Sequence, residues 1–277
     1  MSIRLFNVKH KIACLSWLLL SFFGFSFHAY GAYFEGFTSI PRTYKVQKSI
    51  AKKFNHDSIK AYNISAQKLT SDETNAIKEY TKLDGTYKLF NEYYRDKTFN
   101  DKYGGTFIGK KRLSEILKGQ IETLRSGMNK LPRYNGKVYR GTKLQANLVA
   151  ELNVGDVVYE PGFMSTSILP EVAEAFLKIK NIDGGFTKVK FEIDLTQGGN
   201  VLSTWASNYD DEAEVLVQPK TYMRVKAIAS QGDTKLIALE NVTSLREEQY
   251  AYNLYSAERE PIGVAFEPSA LHLACAL

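Results

Sequence analysis

Apolar residues along this chain change their period near residue 135. Before that point they recur at helical spacing. Thr70-Ser71-Asp72-Glu73 followed by Ala76, Ile77 and Tyr80 predicts a capped helix start with an apolar face. Leu89, Phe90, Tyr93 and Tyr94 form a stripe over 87–95, and Leu113, Ile116, Leu117, Ile121 and Leu124 keep a helical period over 112–124. Gly104-Gly105 reads as a loop between helices, and Gly127 and Pro132 as the end of the helical half, which starts near residue 49. After Asn135-Gly136 short extended segments take over: 137–140, 156–159 (stopped by Pro161-Gly162), 163–168, 187–195, 215–217, 222–230 and 235–242. Val189, Phe191, Ile193 and Leu195 alternate as in a half-buried strand. One short helix, 171–179, interrupts the strands. Helices first and strands second predict one α+β domain, with no repeat and no dividing linker. Residues 33–48 read as an entry segment, and 246–277 as a loosely attached tail of unknown role without periodicity.

Composition alters this picture mainly at the N-terminus. The 277 residues are 44% hydrophobic and 24% charged, as in an ordinary globular protein. The 17 Tyr and 16 Phe favour a sheet-rich core with aromatic pockets. Residues 1–32 carry Arg4, Lys9 and Lys11, an apolar run over 12–27, and then Ala29-Tyr30-Gly31-Ala32. That is the pattern of a signal peptide cut after Gly31 or Ala32, which predicts a secreted protein. The rival, a membrane anchor, needs about 20 apolar residues, more than this run supplies. No later stretch predicts a membrane span. The formal charge is +6, and without the leader 33 basic residues face 30 acidic ones, too even a balance to imply nucleic acid. Cys14 falls in the leader and Cys275 stands alone, so the mature chain has no internal disulfide. His10, His28, His56 and His272 are scattered, and no cluster has metal-ligand spacing. Gly198-Gly199 reads as a turn rather than a phosphate loop.

Three short pieces are candidates for chemistry. Val138-Tyr139-Arg140-Gly141-Thr142 ends a strand on an arginine followed by glycine. Gly162-Phe163-Met164-Ser165-Thr166-Ser167 is an extended hydroxyl-rich segment. Asp210-Asp211-Glu212-Ala213-Glu214 runs into the apolar Val215-Leu216-Val217. If the strand extends through the acids, Glu212 and Glu214 share one face. Each piece also has a plain reading: a surface arginine, good strand formers, and a solvated acidic strand end.

In their order and spacing the three pieces resemble the arginine–serine–glutamate class of bacterial mono-ADP-ribosyltransferase toxins. The resemblance covers 69–242 and takes in Tyr80-Thr81 and Tyr87-x-x-x-Asn91-x-x-x-Arg95. It implies N-terminal helices packed on a mixed, mostly antiparallel two-sheet β core. It also implies NAD as co-substrate, no metal, and a virulence toxin that acts as a monomer. Glutamate at position 212, two before the catalytic Glu214, goes with arginine acceptors in that class, on a host protein such as actin. NAD cleavage builds positive charge on the ribose, as in glycoside hydrolysis. Glu214 would stabilise that charge, and Glu212 would hold the acceptor guanidinium and take its proton. Arg140 would grip the pyrophosphate in a fork, with Arg95 as a second contact. Ser165 would orient Glu214, and the backbone around Gly141 would read the nicotinamide amide. Phe176 would pack against nicotinamide or else sit in the core. Trp205 and Tyr209 would contact the protein acceptor, with a core plug as the alternative for Trp205. The resemblance includes no receptor-binding or translocation segment, and nothing after about residue 245. NAD glycohydrolysis is the second functional expectation and a non-enzymatic binding module the third; the intact Arg140, Ser165 and Glu214 argue against the last.

Overall fold

The computed structural model describes residues 41–82, 85–178, 184–202, 211–242 and 250–262, together with positions 34, 207 and 244. Residues 1–32, expected as a leader, and Trp205 and Tyr209 lie outside the described residues. Four helices come first: α1 (Tyr44–Ile64), α2 (Ser71–Tyr80), α3 (Thr86–Arg95) and α4 (Phe99–Tyr103). A two-strand hairpin, β1 (Phe107–Ile108) and β2 (Lys111–Arg112), leads into α5 (Leu113–Asn129). Then follow β3 (Arg133–Gln145), α6 (Ala146–Glu151), β4 (Val157–Glu160), β5 (Met164–Ser167) and α7 (Pro170–Lys178). The chain continues with β6 (Phe186–Val201), β7 (Glu214–Val217), β8 (Thr221–Gln231), β9 (Thr234–Asn241), β10 (Tyr250–Asn253) and β11 (Arg259–Pro261).

The α+β class and the order of elements follow the sequence reading. At α2 the Thr70 side chain accepts from the Glu73 N–H, and the Glu73 carboxylate accepts from the Thr70 N–H at 2.8 Å, which is the capping box expected there. Five details differ. A second short helix, α6, interrupts the strands where only 171–179 was expected. α1 starts at Tyr44, inside the expected entry segment. Gly127 lies within α5 instead of ending it; a Cβ there would come within 3.0 Å of Glu73 Cβ, so the glycine lets α5 pack closely on α2. Gly104-Gly105 leads from α4 into the hairpin rather than into a helix. Residues 250–262 are not loosely attached: β10 runs parallel to β4 and antiparallel to β11.

Nine strands hydrogen-bond in the order β11-β10-β4-β8-β9-β6-β3-β5-β7, and β6 also pairs with β7. That extra pairing, Asn200 with Leu216 and Val201 with Val215, folds the ladder back on itself. Val189, Phe191, Ile193 and Leu195 are buried on one face of β6 as their alternation predicts, and join Val138, Val215 and Leu239 in the main core. A second core lies between helices and sheet. Tyr80 of α2, Phe90 of α3 and Ile121 of α5 close over Phe163 and Leu216. Tyr80 meets Phe163 edge-on at 5.3 Å between ring centroids. Losing the Phe163 ring would cost about 3–5 kcal/mol. The helical layer therefore rests against β7 and the residue that leads into β5, beside the hydroxyl and acidic motifs.

Candidate active site

Glu214 opens β7 and is 6% exposed. Burial pushes its carboxyl up to about 7, and the nearby Glu212 adds to the rise; a hydrogen bond from Ser165 and the charge of Arg140 oppose it. Ser165, on β5 opposite Leu216, also shares a hydrogen bond with the Tyr80 hydroxyl. Asn91 Nδ2 lies 3.4 Å from that hydroxyl as donor. A consistent order of donors thus runs from Asn91 to Tyr80 to Ser165 to Glu214. Tyr80 is fully buried, and its hydroxyl is pushed up to about 12 by burial and by the charge of Glu214.

Arg140, on β3, donates through Nη1 to the Ser165 carbonyl at 2.8 Å. Burial draws its pKa down, Glu160 and Glu214 pull it back up, and Arg95 adds to the fall. Arg140, Ser165 and Glu214, from three separate stretches of sequence, therefore meet in one charged cluster. Arg95 joins its margin. It donates through Nε to Glu160 Oε1 at 2.8 Å, and the same oxygen accepts the Gly162 N–H at 3.3 Å.

Glu212 is close to Glu214, but not through the expected alternation. β7 starts at Glu214, and Glu212 lies in a bend before it. Between them Ala213 takes a left-handed φ of 46°, which breaks the pleat. Glu212 is half-buried, and burial followed by Asp211 pushes its carboxyl up. The hydroxyls after Ser165 hold this turn in place. Thr166 Oγ1 donates to the Val215 carbonyl at 2.6 Å, and Ser167 Oγ donates to the Glu212 carbonyl at 2.5 Å. Ala213 is fully buried against Ala51 of α1 and Leu169.

Two further expectations change. Gly141 does bring backbone close, but to a helix: a Cβ there would drive into the carbonyl oxygen of Ala173 on α7. Phe176 is 48% exposed on α7, so the core reading fails. Glu160, Tyr80, Thr166 and Ser167 are participants to which the sequence reading assigned no role. Tyr80 and the two hydroxyls lay within motifs already singled out, whereas buried Glu160 carried no signal beyond its place just before Pro161-Gly162. Among the described residues no group of three or more His, Cys, Asp or Glu could hold a metal ion. No described helix is long and apolar enough to cross a membrane.

The profile of the ADP-ribosyltransferase exoenzyme family matches residues 51–245. The chain belongs to that family. It is 35% identical over 192 residues to Vis of Vibrio splendidus (strain 12B01), named as a putative NAD(+)–arginine ADP-ribosyltransferase, with 69% of this chain and 73% of Vis covered. The NAD(+)–protein-arginine ADP-ribosyltransferase Tre1 of Serratia proteamaculans (strain 568) is 32% identical over 171 residues; these are 61% of this chain but only 32% of Tre1. The crystal structure of Vis in complex with agmatine superposes with a TM-score of 0.69 at 31% identity, covering 82% of this chain and 99% of that one. The fold described above is thus the ADP-ribosyltransferase fold, and NAD is the family's co-substrate.

Proposed function

We propose that this chain is a secreted toxin that cleaves NAD and transfers ADP-ribose to an arginine side chain of a host protein. The observation that carries the reading is the buried Glu214, held by Ser165 and faced by Arg140, with Glu212 across the turn at Ala213. The similarity to Vis, crystallised with the guanidinium compound agmatine, supports an arginine acceptor. The leader pattern of residues 1–32 supports secretion.

Each residue then has one task. The Glu214 carboxylate stabilises the ribose cation as the bond to nicotinamide breaks, an interaction stronger in the transition state than before it. The positive nicotinamide of bound NAD also favours the ionised carboxylate, drawing its pKa below the value of about 7 in the free protein. Ser165 fixes the Glu214 rotamer. Arg140 supplies positive charge for the pyrophosphate. Glu212 orients the acceptor guanidinium and takes its proton as nitrogen attacks the anomeric carbon. Phe176 packs at the nicotinamide, and Trp205 and Tyr209 contact the acceptor protein. Actin is the first acceptor to assay, with the toxin acting as a monomer.

The test uses the protein freed of residues 1–32, incubated with NAD and agmatine. ADP-ribosyl-agmatine and free nicotinamide are the expected products by mass spectrometry. Glu212→Ala should abolish the adduct while sparing much of the nicotinamide release. Glu214→Ala should lower both by about 10²–10³ or more. Nicotinamide without adduct from the unaltered protein would make it an NAD glycohydrolase. If neither product forms, the enzymatic reading falls.

A further inference from the structure

We propose that Tyr255, in the turn joining β10 to β11, is the stacking surface for the adenine ring of the dinucleotide. The proposal rests on NAD as ligand and extends that reading to a segment beyond the family match, which ends at residue 245.

The turn is built to present one ring. Asn253 is buried, and its Oδ1 accepts the N–H groups of Tyr255 at 2.9 Å and Ser256 at 3.2 Å. Its Nδ2 donates to the Tyr159 hydroxyl at 3.2 Å. Ala257 completes the turn with a left-handed φ of 62°, and its N–H donates to the Asn253 carbonyl at 2.9 Å. From the other side Gln145 Nε2 donates to the Tyr255 carbonyl at 3.0 Å. The backbone of Tyr255 is thus pinned, yet the residue remains 50% exposed. An aromatic side chain left open to solvent on a fixed backbone is the form a binding anchor takes.

Its neighbours say what it would bind. The Arg95 guanidinium carbon lies 5.3 Å from the centre of the Tyr255 ring. Arg95 is fixed by its ion pair with Glu160, and Glu160 and Arg95 both act on Arg140. The chain of groups therefore runs from Glu214 through Arg140 and Arg95 to Tyr255. With the reacting ribose at Glu214 and the pyrophosphate at Arg140, the far end of the molecule extends toward Arg95 and Tyr255. Arg95 has its charge offset by Glu160, so it suits a flat platform beside the ring better than a phosphate clamp. A neutral purine matches that surface, since a π face and a guanidinium plane both accept a stacked base.

The test measures ADP-ribose binding by calorimetry and nicotinamide release from NAD and from nicotinamide mononucleotide, which lacks the adenosine. Tyr255→Ala should weaken ADP-ribose binding and raise KM for NAD by about 10-fold, with kcat little changed. Tyr255→Phe should restore both, and release from the mononucleotide should stay as in the unaltered protein. Unchanged ADP-ribose binding in Tyr255→Ala overturns the proposal, as does an equal loss with NAD and the mononucleotide. A rise in KM for agmatine alone would assign the ring to the acceptor and also overturn it. If the unaltered protein binds ADP-ribose through Tyr255 but cleaves no NAD, the adenine site stands and the transferase reading falls. If it neither binds nor cleaves, both fall.

Discussion

A carboxylate with a pKa near 7 is half ionised at neutral pH, and Glu214 is in that state because burial opposes its charge more than Ser165 and Arg140 favour it. Only the ionised form can stabilise a ribose cation. The kcat/KM for NAD should therefore rise with pH to a plateau, with its midpoint at about 7. In kcat the midpoint should fall lower, because bound nicotinamide is positive. Ser165→Ala removes a hydrogen bond to the ionised form, so the limb in kcat/KM should move to higher pH. A limb that stayed in place would show that Ser165 does not set the state of Glu214. The same shift bears on stability. The folded pKa is raised, so the stability is fully present below the ordinary carboxylate value and is lost as pH rises through about 7. Glu214→Gln removes that loss. At pH about 8 the variant should resist urea better than the unaltered protein, by about 2–3 kcal/mol, while turnover falls about 10²–10³-fold. Stability lost rather than gained would mean that the Glu214 charge is better compensated than its surroundings imply.

At the scale of single elements, the motifs were legible where one segment alone decides the geometry. The Thr70–Glu73 capping box, the stripe on α3 and the alternation of β6 all follow from local spacing. The relation of Glu212 to Glu214 did not, because the left-handed Ala213 depends on α1, Leu169 and the Ser167 hydroxyl, all distant in sequence. Glu160 escaped for a similar reason: its partners Arg95 and Arg140 come from other elements. Glu73 joins a local cap to tertiary structure. Burial raises its pKa, but Lys130, the Thr70 N–H and Ser126 outweigh burial and hold it down at about 2. With a depressed pKa, this stability is present above the ordinary carboxylate value and is lost as pH falls through about 2. Glu73→Gln should cost about 2 kcal/mol at neutral pH, and its unfolding midpoint should vary less than that of the unaltered protein below pH about 4. Equal acid sensitivity in the two proteins would remove Glu73 as the tie between α2 and α5.

Across the whole molecule, the helical layer and the strands build the charged cluster jointly: Tyr80 and Asn91 come from helices, Arg140, Ser165 and Glu214 from strands. The family match ends before β10, and strands of four and three residues leave no readable period, so nothing in the residue pattern marked this edge as part of the fold. Its contacts are substantial. Ala251 and Ile262 bury Val157 and Tyr159 in a cluster of their own, and the Tyr159 hydroxyl donates to Glu260 at 2.6 Å. Lys97, just after α3, reaches Glu258 at 2.8 Å and Glu260 at 3.0 Å. A chain ended at residue 249 would uncover Val157 and Tyr159, each worth about 1.5–3 kcal/mol of burial, and would leave β4 as an open edge. At about 2–4 °C per kcal/mol for a domain of this size, its melting temperature should fall by about 10 °C, and it should aggregate at concentrations where the full chain stays in solution. Because Arg140, Ser165 and Glu214 lie on other strands, the shortened protein, which also lacks Tyr255, should still release nicotinamide at saturating NAD below its melting temperature, with a raised KM. A melting temperature unchanged by the deletion would mean that β10 and β11 lie on the fold without supporting it.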